Sequence, residues 1–311
     1  AAVIRGQVTL MPPSRVPGVV VAIAEDYPDC YLLVDTHTAD GALPQFRISV
    51  EPLDSVELPR HAPSDTAIPS ISQDQLAAVL FTSGSTGKAV PNPKQWGSLV
   101  RGATATGQAL LSATGPVNVV TTVPPQHMYG FETTMLLPLL GACSLQCDRP
   151  LFPEDVRETL ASTPEPRFLI TTPVHLRTFV EFSGDMPTVA GIVCATAPLS
   201  PQLAAASEAR FGATLTEVFG STETGVTATR RTVHDEPWKI IDLFDIETRP
   251  DGTLVRARHF TGDILLQDVI KTEGHRHFRL VGRSSDLINI AGKRASLGDL
   301  NSKLLAITGV R

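Results

Sequence analysis

The chain has 311 residues, 42% hydrophobic and 19% charged, with a net charge of −6. That is enough apolar material for a substantial core and more chain than a typical single domain, so one large α/β domain with an appended piece is expected. No basic patch stands out, which argues against nucleic acid as a partner, and no apolar run approaches the about 20 residues of a membrane-spanning helix.

The four cysteines, Cys30, Cys143, Cys147 and Cys194, make no Cys-x-x-Cys pair and no zinc spacing with histidine. They read as small core residues in a reducing, cytoplasmic compartment. The first residues lack the charged-then-apolar order of a secretory signal. The chain opens without Met and stops inside the apolar run Leu304–Val310, as a piece of a longer protein would.

Val8 to Met11 is predicted as a strand, Gly18 to Asp26 as a helix and Tyr31 to Val34 as a strand. Residues 60–75, rich in Pro, Ser and Asp, read as a linker. The apolar run Leu76–Phe81 then reads as a buried strand emptying into Thr82-Ser83-Gly84-Ser85-Thr86-Gly87-Lys88. Gly84 and Gly87 let the backbone turn tightly, so successive N–H groups can form a nest for an anion. Four hydroxyls and the Lys88 ammonium complete what looks like a polyphosphate cradle. A Walker A loop needs four residues between the glycines and Ser or Thr after the Lys. Here two residues separate them and Ala89 follows, so that reading fails. An ordinary Ser/Gly surface loop would have the same composition.

Trp96 to Leu111 has helical spacing, and Val117 to Val123 is a β-branched strand. The break Pro124-Pro125-Gln126-His127-Met128-Tyr129-Gly130 precedes an apolar helix over Phe131–Leu140 and a short strand at Cys143–Leu145. Pro153-Glu154-Asp155 opens the next helix with acids at its positive end. Strands are predicted at Phe168–Thr171, Ile192–Ala195 and Thr214–Phe219. Thr172-Pro173 and Ser200-Pro201 each cap and start a helix between them, the second closed by Gly212. Strands alternating with helices imply right-handed βαβ units and a mainly parallel sheet. Past Thr224 only strand-like runs remain, at Trp238–Ile246, Thr253–Ala257, Ile264–Ile270 and His277–Val281, which reads as an antiparallel subdomain. The expected division is an α/β core over 1–223, a β-rich subdomain over 224–283, and a hinge with the start of a further domain over 284–311.

Ligands of such sheets bind beyond the C-terminal ends of the parallel strands. The 82–88 loop resembles the phosphate loop of the adenylate-forming (AMP-binding) superfamily, which reads Thr-Ser-Gly-Thr-Thr-Gly-x-Pro-Lys. The chain departs after Gly87, with Ala89-Val90 in place of Pro-Lys, leaving Lys88 and Lys94 as the nearby cations. Further segments resemble the same family, in its order. Pro124 to Gly130 is similar to its Pro-x-x-His-x-x-Gly. Ala195-Thr196-Ala197-Pro198-Leu199 is similar to its Gly-Gly-Ala-Pro-Leu, and Phe219-Gly220-Ser221-Thr222-Glu223 to its Tyr-Gly-x-Thr-Glu. Thr261-Gly262-Asp263 resembles its Thr-Gly-Asp, and Gly282-Arg283 opens a stretch like its Gly-Arg-x-x-Asp.

The resemblance implies attack of a carboxylate on the α-phosphorus of ATP, then transfer of the acyl group to CoA or to a carrier-protein phosphopantetheine. By that resemblance the 81–88 loop, with Thr82, Ser83, Gly84, Ser85, Thr86, Gly87 and Lys88, holds the β and γ phosphates. His127 lies beside the acid, and Ala195, Thr196, Ala197 and Pro198 line the adenine. Phe219, Gly220 and Ser221 complete that face, with Phe219 stacking on the base. Thr222 and Glu223 serve the α-phosphate, Glu223 as the Mg²⁺ ligand, and Asp263 and Arg283 fix the ribose. The family's adenylating lysine lies in a C-terminal domain and has no counterpart before Arg311, so residues 1–311 alone are expected to adenylate slowly. Pro91 to Trp96 and Leu10 to Pro13 also resemble the stand-alone ligases of bacterial aryl-polyene pigment clusters, which implies an aryl acid such as 4-hydroxybenzoate. The alternatives are a fatty-acid ligase, a catalytically degenerate nucleotide-binding module, or a phosphate-binding protein of unrelated α/β type.

Overall fold

Short apolar runs between Pro, Gly and polar residues form strands throughout the chain, and two helices start where a hydroxyl residue precedes proline. The computed structural model describes residues 2–34, 43–47, 69–83, 89–112, 114–283, 287–290 and 293–296. The chain divides into two compact units, 1–96 and 97–311.

In the first unit β1 (Thr9–Met11) is followed by helix Pro17–Asp26, β2 (Leu32–Val34), β3 (Gln45–Arg47), β4 (Leu76–Ser83) and β5 (Ala89–Gln95). β1 pairs parallel with β4, β4 antiparallel with β5, and β2 parallel with β3. Ile23 packs on Val79 and Phe81, and Tyr27 meets the Phe81 ring edge-on. Pro91 and Pro93 argue against a strand, yet they lie in β5. β5 has a hydrogen-bonded neighbour on one side only among the described residues, and an edge tolerates a missing donor.

The second unit is built on one nine-stranded sheet. After helix Trp96–Leu111 come β6 (Val117–Thr121), β7 (Cys143–Leu145), β8 (Arg167–Thr171), β9 (Gly191–Cys194) and β10 (Leu215–Ser221). These five run parallel, in the spatial order β10-β9-β8-β6-β7. Then follow β11 (Gly225–Arg230), β12 (Trp238–Ile240), β13 (Asp245–Arg249), β14 (Gly252–Arg256), β15 (Ile264–Leu266), β16 (Asp268–Thr272), β17 (His277–Arg283), β18 (Leu287–Ile290) and β19 (Lys293–Ser296). β11, β12, β17 and β16 continue the large sheet antiparallel, whereas β13, β14 and β15 form a separate three-stranded sheet. The sheet therefore runs on across position 224, which lies in the β10–β11 turn. The chain is thus α/β, with a parallel core and antiparallel strands appended.

Two expected strands are each two. Trp238–Ile246 is broken at 241–244, where the Phe244 N–H turns back to the Ile241 carbonyl. Ile264–Ile270 changes sheets at Gln267, because β15 pairs with β14 and β16 with β17.

Helices Pro153–Ser162, Pro173–Glu181 and Pro201–Phe211 bury one face against the parallel strands, with Leu160, Leu169, Leu176, Phe179 and Phe211 in the core. Thr172 and Ser200 cap the last two by accepting from the N–H groups of His175 and Leu203. Gly212 closes the last with φ 63°. A second core, centred on Trp238, Phe244, Val255 and Phe278, holds the antiparallel strands together.

Candidate functional site

The registers Thr121↔Ile170, Thr171↔Cys194 and Glu217↔Cys194 bring the C-terminal ends of β6, β8, β9 and β10 side by side. The His127 loop, the 195–198 loop and the Thr222–Glu223 turn all leave this edge of the sheet. Tyr129 of the first bonds the Val193 carbonyl of β9, and Glu132 just after it accepts from the Val226 N–H past the turn.

The loop after β6 is tight. A Cβ at Gly130 would lie 2.1 Å from the Pro124 carbonyl oxygen, so only glycine lets the prolines fold onto the helix start. His127 stands exposed just before this helix, and its carbonyl accepts from the Phe131 N–H at 2.7 Å. Two residues on, the buried Tyr129 hydroxyl donates to the carbonyls of Val193 at 2.9 Å and Thr171 at 3.3 Å. Burial, more than the neighbouring Cys194, pushes the Tyr129 pKa well up, so the phenol stays a neutral donor. The helical run 128–139 is π-helical over Phe131–Leu136. There the hydroxyls of Thr133 and Thr134 donate to the carbonyls of Tyr129 and Gly130, four residues back. Such bulges cluster at functional sites.

Below this loop lies a polar group that sequence reading missed. Thr122 Oγ1 is 2.9 Å from Thr171 Oγ1 and 2.8 Å from His175 Nδ1. Burial lowers the His175 pKa.

In the 195–198 loop, Ala195 is buried while Thr196 and Pro198 are exposed. Thr196 has φ 84°, a left-handed conformation that a β-branched residue adopts only under strain. The loop it resembles carries glycine there.

The β10–β11 turn is shaped by Gly220, where a Cβ would meet the Gly225 oxygen at 2.2 Å. The register shifts between Phe219 and Gly220. Within the turn the Ser221 and Thr224 hydroxyls lie 3.1 Å apart, and the Thr224 N–H donates to Ser221 Oγ. Thr222 is half-buried and Glu223 exposed. Phe219 is half-buried, with its ring 5.5 Å from Trp238 and 5.4 Å from Phe278, so it belongs to the aromatic core of the antiparallel strands.

Asp263 and Arg283 do not meet. Asp263 is exposed and paired with Arg256 of β14 at 2.8 Å. Arg283, at the end of β17, pairs with Asp268 of β16 at 3.4 Å, and the two are register partners. Asp268 is the residue that sequence reading missed. Its side chain is 15% exposed, against 65% for Arg283. Burial raises its pKa, Arg283 opposes that rise, and the charge of Glu223 adds to it. Asp268 therefore pairs with Arg283 and feels, more weakly, the charge of Glu223 on the β10–β11 turn. The hairpin closing at Gly274 pairs Thr272 with Phe278, and a register shift between Val269 and Ile270 then sets residue 268 against 283.

An exposed carboxylate such as Glu223 fits Mg²⁺, which keeps most of its waters and takes one or two protein oxygens besides phosphate. Among the described residues there is no group of three or more metal-ligating side chains that would make a closed metal cage. Thr82 is half-buried near the end of β4 in the first unit, and Lys94 is 8% exposed within β5. Ser83 closes that strand, and Gly84, Ser85, Thr86, Gly87 and Lys88 lie outside the described residues.

Residues 18–243 match the AMP-binding enzyme family. A 4-coumarate–CoA ligase of Rhodobacter capsulatus is 32% identical over 237 residues, 75% of this chain and 58% of that protein. A second 4-coumarate–CoA ligase, of Halorhodospira halophila, is 26% identical over 239 residues, 76% of this chain and 58% of that one. The chain thus spans 58% of the length of these curated relatives. The o-succinylbenzoate CoA synthetase MenE of Bacillus subtilis, in complex with its acyl-adenylate intermediate, superposes with a TM-score of 0.78. It is 16% identical, over 98% of this chain and 69% of that one, a likeness of fold.

Proposed function

This chain belongs to the AMP-binding enzyme family, and from that premise we propose that the full-length protein activates a carboxylic acid with ATP and passes it to a thiol. The observation that carries the reading is the Asp268–Arg283 pair at 3.4 Å, whose carboxylate feels the charge of Glu223 on the threonine-bearing β10–β11 turn.

The acid is ionised at neutral pH and needs no general base. One carboxylate oxygen forms a bond to the α-phosphorus of ATP as the bond to the bridging α–β oxygen breaks, and pyrophosphate leaves. Rate then comes from alignment and from neutralising phosphate charge. Thr222 donates to an α-phosphate oxygen. Asp268 accepts from the ribose hydroxyls and is held in place by Arg283. This gives Asp268 the role that the sequence alone suggests for Asp263. Glu223 would hold Mg²⁺, whose charge offsets that of the phosphates. His127 orients the acid from its exposed place at the helix start, and the 195–198 loop offers small residues to the adenine. Thr82, Ser83, Gly84, Ser85, Thr86, Gly87 and Lys88 keep the polyphosphate role suggested by their sequence. In the second step the sulfur of CoA, or of a carrier-protein phosphopantetheine, displaces AMP to give the thioester. Names of the curated relatives favour an aryl acid, with 4-hydroxybenzoate as the first candidate, and a cytoplasmic setting follows from ATP and CoA as substrates.

The test is mass spectrometry of the acyl-adenylate formed by the full-length protein with ATP, Mg²⁺ and a panel of acids. Hydroxybenzoates and coumarate are expected to give the adduct. An adduct with fatty acids alone would remove the aryl assignment, and none with any acid would remove the ligase reading.

A further inference from the structure

A buried acidic side chain inside an apolar helix needs hydrogen-bond partners, and Glu132 is such a residue. It lies five residues after His127, in the π-helical stretch, and is 1% exposed. Its Oε1 accepts from the Thr106 hydroxyl at 2.5 Å, and Thr106 is itself fully buried on helix Trp96–Leu111. Its Oε2 accepts from the backbone N–H of Val226 at 3.0 Å. Val226 follows Gly225, the first residue of β11, which begins directly after the turn that carries Thr222 and Glu223. A Cβ on Gly225 would lie 3.0 Å from Glu132 Oε2 and 3.5 Å from the tip of Met128. The carboxylate thus reaches from the His127 segment to the end of the Glu223 turn, near the shifted register of β10 and β11.

We propose that Glu132 is a positioning residue that sets the Thr222–Glu223 turn at a fixed distance from His127. It touches no substrate and acts through the Val226 N–H. Two oxygens of one rigidly buried group bond two different elements, so a shift of the turn must break a buried hydrogen bond. The cost of leaving a buried N–H unpaired is what holds the geometry. The π-helical turn brings Glu132 to this place, since an α-helical path would rotate it about the helix axis. The catalytic part of the proposal rests on the ligase reading, whereas the mechanical part does not.

The experiment uses the full-length protein as wild type, Glu132→Leu and Glu132→Gln. Leucine matches the volume but accepts nothing. Glutamine keeps an acceptor for Val226 and can donate its amide to the Thr106 oxygen. Hydrogen–deuterium exchange over residues 221–228 reads the strut directly. Acid-dependent exchange of labelled pyrophosphate into ATP reads its effect on chemistry. Glu132→Leu is expected to lose amide protection over 221–228 and to drop kcat by about 10- to 100-fold, the range a displacement near 1 Å produces. Its KM for ATP should stay within about threefold, and Glu132→Gln should recover most of both losses. Unchanged protection in Glu132→Leu would overturn the strut. Reduced thermal stability with an unchanged kcat would overturn positioning and leave packing alone. A glutamine variant as damaged as the leucine one would overturn the hydrogen-bond account. A wild type without acid-dependent exchange would overturn the ligase reading and the catalytic half with it, while the amide-protection result would still decide the mechanical half.

Discussion

Adding one methyl group at Gly220 tests whether the β10–β11 turn places reacting groups. In Gly220→Ala the new Cβ would sit 2.2 Å from the Gly225 oxygen, 2.8 Å from its carbonyl carbon and 2.9 Å from the Val226 Cα. All three are backbone atoms, so no side chain can swing aside. Real Cβ contacts begin near 3.0 Å, so the two strands must part by roughly 1 Å at the mouth of the turn. Overpacking of this kind costs about 1–3 kcal/mol. For a unit of about 200 residues that lowers Tm by several degrees, which leaves a folded protein to assay. The turn carries Thr222 and Glu223 at its tip, and a displacement near 1 Å costs up to about 100-fold in rate when the displaced groups align the reaction. Stopped-flow detection of pyrophosphate should show the first-turnover rate falling by about 10- to 100-fold, with ATP affinity changed far less. A lowered Tm beside an unchanged first-turnover rate would refute the reasoning, because the turn would then be part of the framework only.

Thr196→Gly should relieve the strain of φ 84°, worth about 1–3 kcal/mol, less about 0.5–1 kcal/mol for the extra freedom of glycine in the unfolded chain. Calorimetry should therefore show a Tm higher by a few degrees, with adenylation retained; a lower Tm would mean that the threonine side chain contributes more than its backbone costs. Burial lowers the His175 pKa below its ordinary 6.5, so its contribution to stability is complete above pH 6.5 and is lost as pH falls through the depressed value. His175→Gln should flatten the loss of stability below pH 6.5, as measured by chemical denaturation at several pH values. Asp268 has the opposite sign: burial raises its pKa above 3.8, so its contribution is present below 3.8 and lost as pH rises through the raised value. Asp268→Asn should therefore gain stability relative to wild type at pH 7.5 and lose that advantage near pH 4, even while nucleotide binding suffers.

What the sequence made legible was local. Thr172-Pro173 and Ser200-Pro201 announce helix starts because capping and the fixed φ of proline act within four residues, and Gly212 announces an end for the same kind of reason. The buried parallel strands were legible from their β-branched runs. β5 was not, because Pro91 and Pro93 contradict a strand everywhere except at an edge, and edges are settled by pairing rather than composition. The Asp268–Arg283 pair was missed for a related reason. Thr261-Gly262 drew attention to Asp263, whereas the partner of Arg283 is decided by the register of a hairpin closing at Gly274, whose φ is 71°. The packing of Phe219 was not legible either, because Trp238 and Phe278 lie on distant strands whose convergence on it could not be counted along the chain. Glu132 stands in the sequence as an acidic residue in an apolar run, but its bonds to Thr106, 26 residues before it, and to Val226, 94 after it, cannot be counted along the chain.

The most direct measurement compares wild type, Asp263→Ala and Asp268→Ala of the full-length protein in acid-dependent exchange of labelled pyrophosphate into ATP. Wild type should exchange label only when an acid is added, Asp263→Ala should keep that rate within about threefold, and Asp268→Ala should lose it by at least about tenfold. Exchange that needs no acid, or a loss that follows Asp263 and spares Asp268, would contradict both the reaction and the place assigned to it.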